Sequence, residues 1–197
     1  METNEQGLKY AGFWRRLGAH LIDTVIFLVP MFAIRHLFSA GSLKYANLSW
    51  CILSVFISLW YHLFLQVKYG GTPGLRLMKT KIRKLDGSAA TFREVALRFS
   101  PMLVFTVLST YSNIQIYSQM SDSDFLVSSQ EQSRLITQYA PSWTFVLVMI
   151  MGIWEWSEFL VMMLNKKRRA IHDFIAGTVM LQDPAPTLAD EKTDFIG

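Results

Sequence analysis

Cysteine is almost absent from this chain, and charged residues are few. Cys51 is the single cysteine among 197 residues, which excludes an internal disulfide and any zinc or iron–sulfur site built on several cysteines. Only 17% of the residues are charged, whereas 51% are hydrophobic. This apolar content is high for a soluble protein and ordinary for a protein that crosses a membrane several times.

The hydrophobic residues are concentrated in four long blocks. The blocks cover residues 17–38, 48–67, 95–117 and 143–164. Each approaches or exceeds the ~20 residues that a helix needs to cross a hydrocarbon core of roughly 30 Å. The first block is too long for the core of a secretory signal and has no cleavage pattern after it, so we expect it to remain as an anchor. The sequence predicts an all-α membrane protein with a bundle of four transmembrane helices.

Basic residues predict how this bundle is oriented. They cluster before the first block, between the second and third, and after the fourth, while the other two connections carry few. By the positive-inside rule, both termini and the middle loop face the cytoplasm. We expect a protein of a bacterial cytoplasmic (inner) membrane, with one transmembrane domain at residues 1–180 and a polar C-terminal tail at 181–197.

The middle loop contains two turn signals. A glycine-rich segment, residues 70–74, precedes an alternating stretch at 79–85, and the turn pair Asp86-Gly87 follows it. This pattern predicts a short cytoplasmic β-hairpin. The glycine run lacks the Gly-Lys-Ser/Thr of a phosphate-binding loop, so nucleotide binding is not expected.

Three segments together carry a resemblance to a known family. They are GFWRRLGAHLID at residues 12–23, GTPGLR with the basic stretch that ends in Asp86-Gly87, and RAIHDFIAGT at residues 169–178. In this order they resemble the RDD family of membrane proteins, which is named for an arginine and two aspartates. The resemblance makes Arg16 the family arginine, Asp23 the first aspartate and Asp173 the second. It implies an integral membrane fold, and some members of the family are linked to sodium/proton antiport.

Polar residues from three of the blocks are predicted to lie at one depth. At 1.5 Å per residue, Asp23, His62 and Glu158 lie roughly 8 to 9 Å inside the cytoplasmic boundary. His20 shares a helix face with Asp23, and Glu155 lies one turn deeper than Glu158 on the fourth helix. Carboxylates inside a membrane are costly, so each marks a candidate site.

Two interpretations of this polar layer stay open. In the functional one, Asp23, Glu155 and Glu158 are ion or proton sites that exchange a proton for a small cation, with His20 or His62 as relays. In the structural one, the carboxylates are satisfied by arginine, histidine or backbone groups and fix the register of the helices.

Arg16 is expected to pair with Asp173. About 10 Å separates Arg16 from Asp23 along the helix axis, which is too far for direct contact. The apolar residues of segment 170–180 are spaced so that it can lie as an amphipathic element on the inner membrane surface. An ion pair would clamp this element to the first helix, and we favour a clamp over a gate.

The leading functional hypothesis is small-cation or proton-coupled transport, and the alternative is a non-transporting membrane scaffold or assembly factor. No combination of nucleophile, base and oxyanion donors indicates an enzyme. His20 and His62 are better explained by packing than by a metal or haem, so no cofactor is expected. The expected partners are the lipid bilayer and a small cation (sodium or proton), with a homodimer if four helices are too few for a path; nucleic acid is not expected.

Overall fold

Helices make up most of the chain in the computed structural model, which describes residues 9–38 and 42–182. The elements in chain order are α1 (Phe13–Phe38), α2 (Leu43–Leu59), a π-helical turn (Trp60–Phe64), α3 (Leu65–Tyr69), α4 (Pro73–Leu77), β1 (Thr80–Lys84), α5 (Phe92–Gln119), a 3₁₀ turn (Asp122–Phe125), α6 (Ser129–Tyr139), α7 (Ser142–Leu164), α8 (Ile171–Ala176) and β2 (Thr178–Gln182).

Three helices in the described part of the chain are long and apolar enough to cross a membrane. They are the continuous helix Leu43–Tyr69, which joins α2 to α3 through the π turn, and the helices α5 and α7. Only 11% to 22% of their most apolar stretches is buried inside the protein, so most of their surface is available to lipid. The fourth predicted span, α1, has 26 residues and packs on α2 and α7, but its crossing of the membrane stays a prediction.

The predicted β-hairpin is present only as a turn with one bridge, because the main partner of β1 is a distant strand. The strand β1 forms, but its partner is β2 from the other end of the chain, and the two pair antiparallel from Thr80↔Gln182 to Lys84↔Thr178. The turn at Asp86-Gly87 is present, with Gly87 at φ 85°, yet only one bridge, Arg83↔Ala89, follows it. A longer hairpin cannot form because Thr91 already caps the N-terminus of α5 through its contacts with Glu94.

The predicted amphipathic segment 170–180 is not a single element. The helix α8 ends at Gly177, whose left-handed φ of 66° turns the chain out of the helix. The following residues form β2, and Val179 within it is buried. The first two residues of the predicted polar tail, Leu181 and Gln182, also belong to β2; residues 183–197 lie outside the described part of the chain.

The short elements α4, β1, α8 and β2 lie together at one end of the long helices, and we call this assembly the platform. Its core contains Ala11, Ala19, Leu75, Ile82 and Met180, all of them buried. The segment before α1 joins the platform as well, since Ala11 N donates to Met180 O at 2.9 Å. The opposite end of the helices, which carries α6, we call the far side.

The buried side chain of Leu181 gives a test of the strand pairing. Replacing it by alanine should lower the free energy of unfolding by about 2 to 5 kcal/mol, because the side chain is 2% exposed in the platform core. The measurement is the thermal unfolding midpoint in detergent. The control is Leu85→Ala, at a site that is 47% exposed, and equal midpoints for the two variants would contradict the observed pairing.

Candidate functional site

The carboxylate of Asp173 is the most enclosed charged group in the described part of the chain, with 0% of its surface exposed. Its Oδ2 atom accepts from Arg16 Nη1 at 2.8 Å and from the backbone N–H of Ala170 at 3.1 Å. Its Oδ1 atom contacts the guanidinium of Arg98 and accepts from the hydroxyl of Thr178 at 3.2 Å. Both oxygens are therefore satisfied, by partners from α1, from α5 and from the segment around α8 that contains Asp173 itself.

The two arginines that hold Asp173 come from different long helices. Arg16 lies in the first turn of α1, and its Nη2 atom also donates to Arg168 O at 2.5 Å. Arg98 lies near the start of α5, and its Nη1 atom is 3.3 Å from the hydroxyl of Thr178. Two guanidiniums buried beside one carboxylate would leave excess positive charge. A second carboxylate, Glu158 of α7, interacts electrostatically with both arginines and balances that charge.

Glu158 connects this cluster to α8 through His172. The Oε1 atom of Glu158 accepts from the backbone N–H of His172 at 3.1 Å, and the Nδ1 atom of the imidazole lies 2.7 Å from Oε2. Burial, and then the positive charge of Arg98, lowers the pKa of His172 to about 4, although Glu158 acts in the opposite direction. His172 is therefore neutral at pH 7.

Asp23 belongs to a second, separate cluster. Its Oδ1 atom accepts from the Tyr61 hydroxyl and from the backbone N–H of Gly74, the latter at 2.7 Å. Its Oδ2 atom accepts from the Thr72 hydroxyl at 2.6 Å. These donors attach the start of α4 to the middle of α1.

Glycine is required at residue 74 by the close approach of α4 to α1. A Cβ atom there would lie 2.2 Å from the carbonyl oxygen of Ala19 and 2.6 Å from Oδ1 of Asp23. The short helix begins locally with Thr72 as its N-cap, whose hydroxyl accepts from Leu75 N at 3.3 Å, and with Pro73 at its first position.

Tyr61 reaches Asp23 from the π-helical turn. Such turns interrupt α-helices rarely and are frequent at functional sites, because the extra residue redirects side chains. The next residue, His62, stacks between Phe99 of α5, with ring centroids 5.1 Å apart, and Phe27 of α1, at 6.1 Å. His20 is exposed on α1.

Glu155 lies apart from both clusters. It lines a cavity of about 450 Å³ between α5 and α7, with Ser109, Ser112, Asn113 and Thr144 among its other polar residues. Within the described residues, no protein donor is hydrogen-bonded to its carboxylate.

The structure thus separates residues that the sequence placed in one layer. Asp23 and His62 are neighbours, Glu158 joins Asp173 and the arginines, and Glu155 faces a cavity of its own. The expected contact between Arg16 and Asp173 is present. Sequence reasoning missed Tyr61, Thr72 and Gly74 as partners of Asp23. The Thr72-Pro73 pair was a usable signal, since it is typical of a helix start; nothing in the sequence singles out Tyr61.

A model of the RDD family matches residues 10–177. No curated protein and no solved structure matches the chain.

Asp173→Asn should destabilise the protein strongly. The neutral amide leaves two buried guanidiniums without their counter-charge, and breaking a buried ion pair from one side typically costs about 3 to 5 kcal/mol. The thermal unfolding midpoint in detergent measures the loss. The control Glu131→Gln removes the exposed ion pair with Arg134 on α6 and should hardly move the midpoint. Comparable midpoints for the two variants would argue against the central role of Asp173.

The lowered pKa of His172 predicts a pH dependence. Between pH 6.5 and about 4 the unfolded chain binds a proton at His172 that the folded protein does not, so stability falls as the pH drops through this window. The imidazole faces Glu158 of α7, Arg98 of α5, Arg16 of α1 and the carboxylate of Asp173, and His172→Gln removes the titrating imidazole while leaving these four residues in place in the sequence. This variant should lose part of the acid sensitivity, measured as unfolding midpoints across the window. The control is His20→Gln, at an exposed site, and it should keep the full pH dependence.

Proposed function

Because the chain belongs to the RDD family of membrane proteins, we propose that it acts as a membrane scaffold or assembly factor that presents the platform to a partner protein. One observation carries the proposal. All carboxylate oxygens of the two family aspartates accept hydrogen bonds from the platform or from the helices packed against it. Carboxylates engaged in this way stabilise one arrangement of the chain.

The platform has a surface suited to such a partner. Leu77 is 68% exposed and lies between the exposed residues Arg76 and Lys79. An apolar side chain with cations beside it fits a protein surface that combines an apolar pocket with acidic residues.

We also propose that the platform faces the cytoplasm, since the basic residues cluster on this side.

Small-cation or proton-coupled transport is the second candidate, and the π-helical turn favours it. Protonation of Asp23 would turn one of its oxygens from acceptor to donor and so weaken its bonds to Tyr61, Thr72 and Gly74. Protonation at this depth would then release α4 from α1 and alter the packing of the platform. His62, whose ring meets that of Tyr61 edge to face at 5.3 Å, is the candidate relay in that mechanism.

Two variants separate the candidates. Asp23→Asn removes the carboxylate, whereas Gly74→Ala keeps it but prevents α4 from docking, since the new Cβ would clash with Ala19. If the chain is a scaffold, both variants should expose the 72–79 segment to trypsin at Arg76 and Lys79 and reduce cross-linking of one reproducible partner. Cation-dependent proton movement in everted vesicles should stay at the wild-type level.

The opposite pattern would favour transport. Loss of proton movement in Asp23→Asn at normal abundance would overturn the scaffold proposal, most clearly if Gly74→Ala retains the movement. Asp122→Asn is the matched control, because it removes a hydrogen-bonded carboxylate on the far side, where Ser42 Oγ and Lys44 N donate to it. It should leave the protease pattern unchanged.

A further inference from the structure

An apolar groove of about 510 Å³ follows the first three turns of α5, at the platform end of the long helices. Leu63 of the π-helical turn lines one side of it, and residues of α5 from Phe92 to Leu103 line the rest. The hydroxyl of Ser100 donates to Leu97 O at 2.9 Å within the helix, so its proton is already engaged. The groove therefore suits a ligand made of hydrocarbon.

Aromatic packing holds the base of the groove in place. Phe99 is 5% exposed, and its ring stacks on the imidazole of His62 with the centroids 5.1 Å apart. Leu63 follows His62 in the π-helical turn and continues the same lining. A ligand can thus occupy the groove without first ordering these side chains, which lowers the entropic cost of binding.

The depth of the groove matches one leaflet of a bilayer. The helix α5 is long and apolar enough to cross a membrane, and its first turn carries the charged residues Arg93 and Glu94, which place its start at the boundary. From Phe92 to Leu103 the helix rises about 16 Å. Half of a hydrocarbon core of roughly 30 Å is about 15 Å. The groove therefore reaches from the boundary to the middle of the bilayer, as one acyl chain does.

A cation lies at the mouth of the groove. Among the described residues that line it, only Arg93 is charged. Its side chain is exposed, and no carboxylate of the described residues pairs with its guanidinium. The neighbouring Glu94 is engaged elsewhere, since it accepts from Thr91 N at 2.8 Å and lies 3.6 Å from Lys84 Nζ. Arg93 is thus available to bind an anion at the level of the lipid headgroups, and guanidinium donors match phosphate oxygens.

We propose that the groove binds one anionic phospholipid from the leaflet on the platform side, with an acyl chain along α5 and the phosphate on Arg93. Shape selects the chain, and charge selects the headgroup. A zwitterionic lipid would fill the groove equally well, but its headgroup carries a cation of its own and so compensates Arg93 less fully. The site goes beyond the scaffold role and does not depend on it.

Native mass spectrometry of the full-length protein, released from detergent micelles, tests the headgroup. Phosphatidylglycerol and phosphatidylcholine with the same acyl chains are supplied in equal amounts, and the protein should retain more phosphatidylglycerol. Arg93→Gln should lower the retained phosphatidylglycerol about fivefold, the effect expected of one cation at a membrane surface. The matched control is Lys167→Gln, which removes an exposed cation just after α7, at the same end of the helices, and should retain as much as the wild type.

A second pair of variants tests the acyl chain. Ala96→Phe places a ring in the groove and should reduce retention of both lipids several-fold, whereas Val104→Phe, on an exposed part of α5 outside the lining, should change neither. Leu97→Trp, at a partly exposed position of the same wall, replaces Ala96→Phe if that variant does not fold.

Three results would overturn the proposal. Equal retention of the two lipids by the wild type would show that the headgroup is not recognised. An unchanged preference in Arg93→Gln would place the anion on other cations. Displacement of the bound lipid by millimolar glycerol 3-phosphate, which has the same phosphate but no acyl chain, would show that the groove contributes nothing and that the site binds free phosphate esters instead.

Discussion

The structure depends on one enclosed carboxylate, that of Asp173, and on the two guanidiniums that reach it. Arg16 is drawn from α1 and Arg98 from α5, while Glu158 of α7 supplies the balancing charge. Burial of such a group without partners would cost several kcal/mol, so helices that carry these partners cannot separate at this end without exposing an unpaired charge. This constraint fixes the positions of α1, α5 and α7 relative to one another at the platform end.

The platform repeats one local arrangement twice. A carboxylate accepts from the backbone at the start of a short helix, Asp23 at α4 and Asp173 at α8, and each helix continues at once into a strand. Because β1 and β2 pair with each other, the two aspartates hold a single unit, although the strands lie far apart in the chain. Asp23 does this from a neighbouring helix and Asp173 from within its own. Asp173 is fully buried, whereas Asp23 is only partly buried, and Asp173 is the aspartate that two arginines contact.

The lengths of the hydrophobic blocks and the positions of the charged residues predicted the features that depend on local sequence, above all the long helices. The four apolar blocks correspond to α1, Leu43–Tyr69, α5 and α7. The pairing of Arg16 with Asp173 was expected because helix geometry placed Asp23 too far from Arg16 and the family resemblance singled out Asp173. The pairing of β1 with β2 could not be predicted in this way, since alternation marks a strand but never its partner, and the nearby Asp86-Gly87 turn favoured a hairpin. The partners of Asp23 were missed for a similar reason: Thr72 and Gly74 approach it only after the loop has folded back.

Depth alone was a poor guide to the role of a carboxylate. Asp23, Glu155 and Glu158 are all carboxylates within apolar stretches, yet the hydrogen-bond donors around them differ. Asp23 meets two hydroxyls and a backbone N–H, and Glu158 meets His172 beside two arginines. Both are occupied by the protein itself, so an added cation would have to displace existing bonds. Glu155 is exposed and lines the cavity between α5 and α7, and no side chain of the described residues donates to its carboxylate.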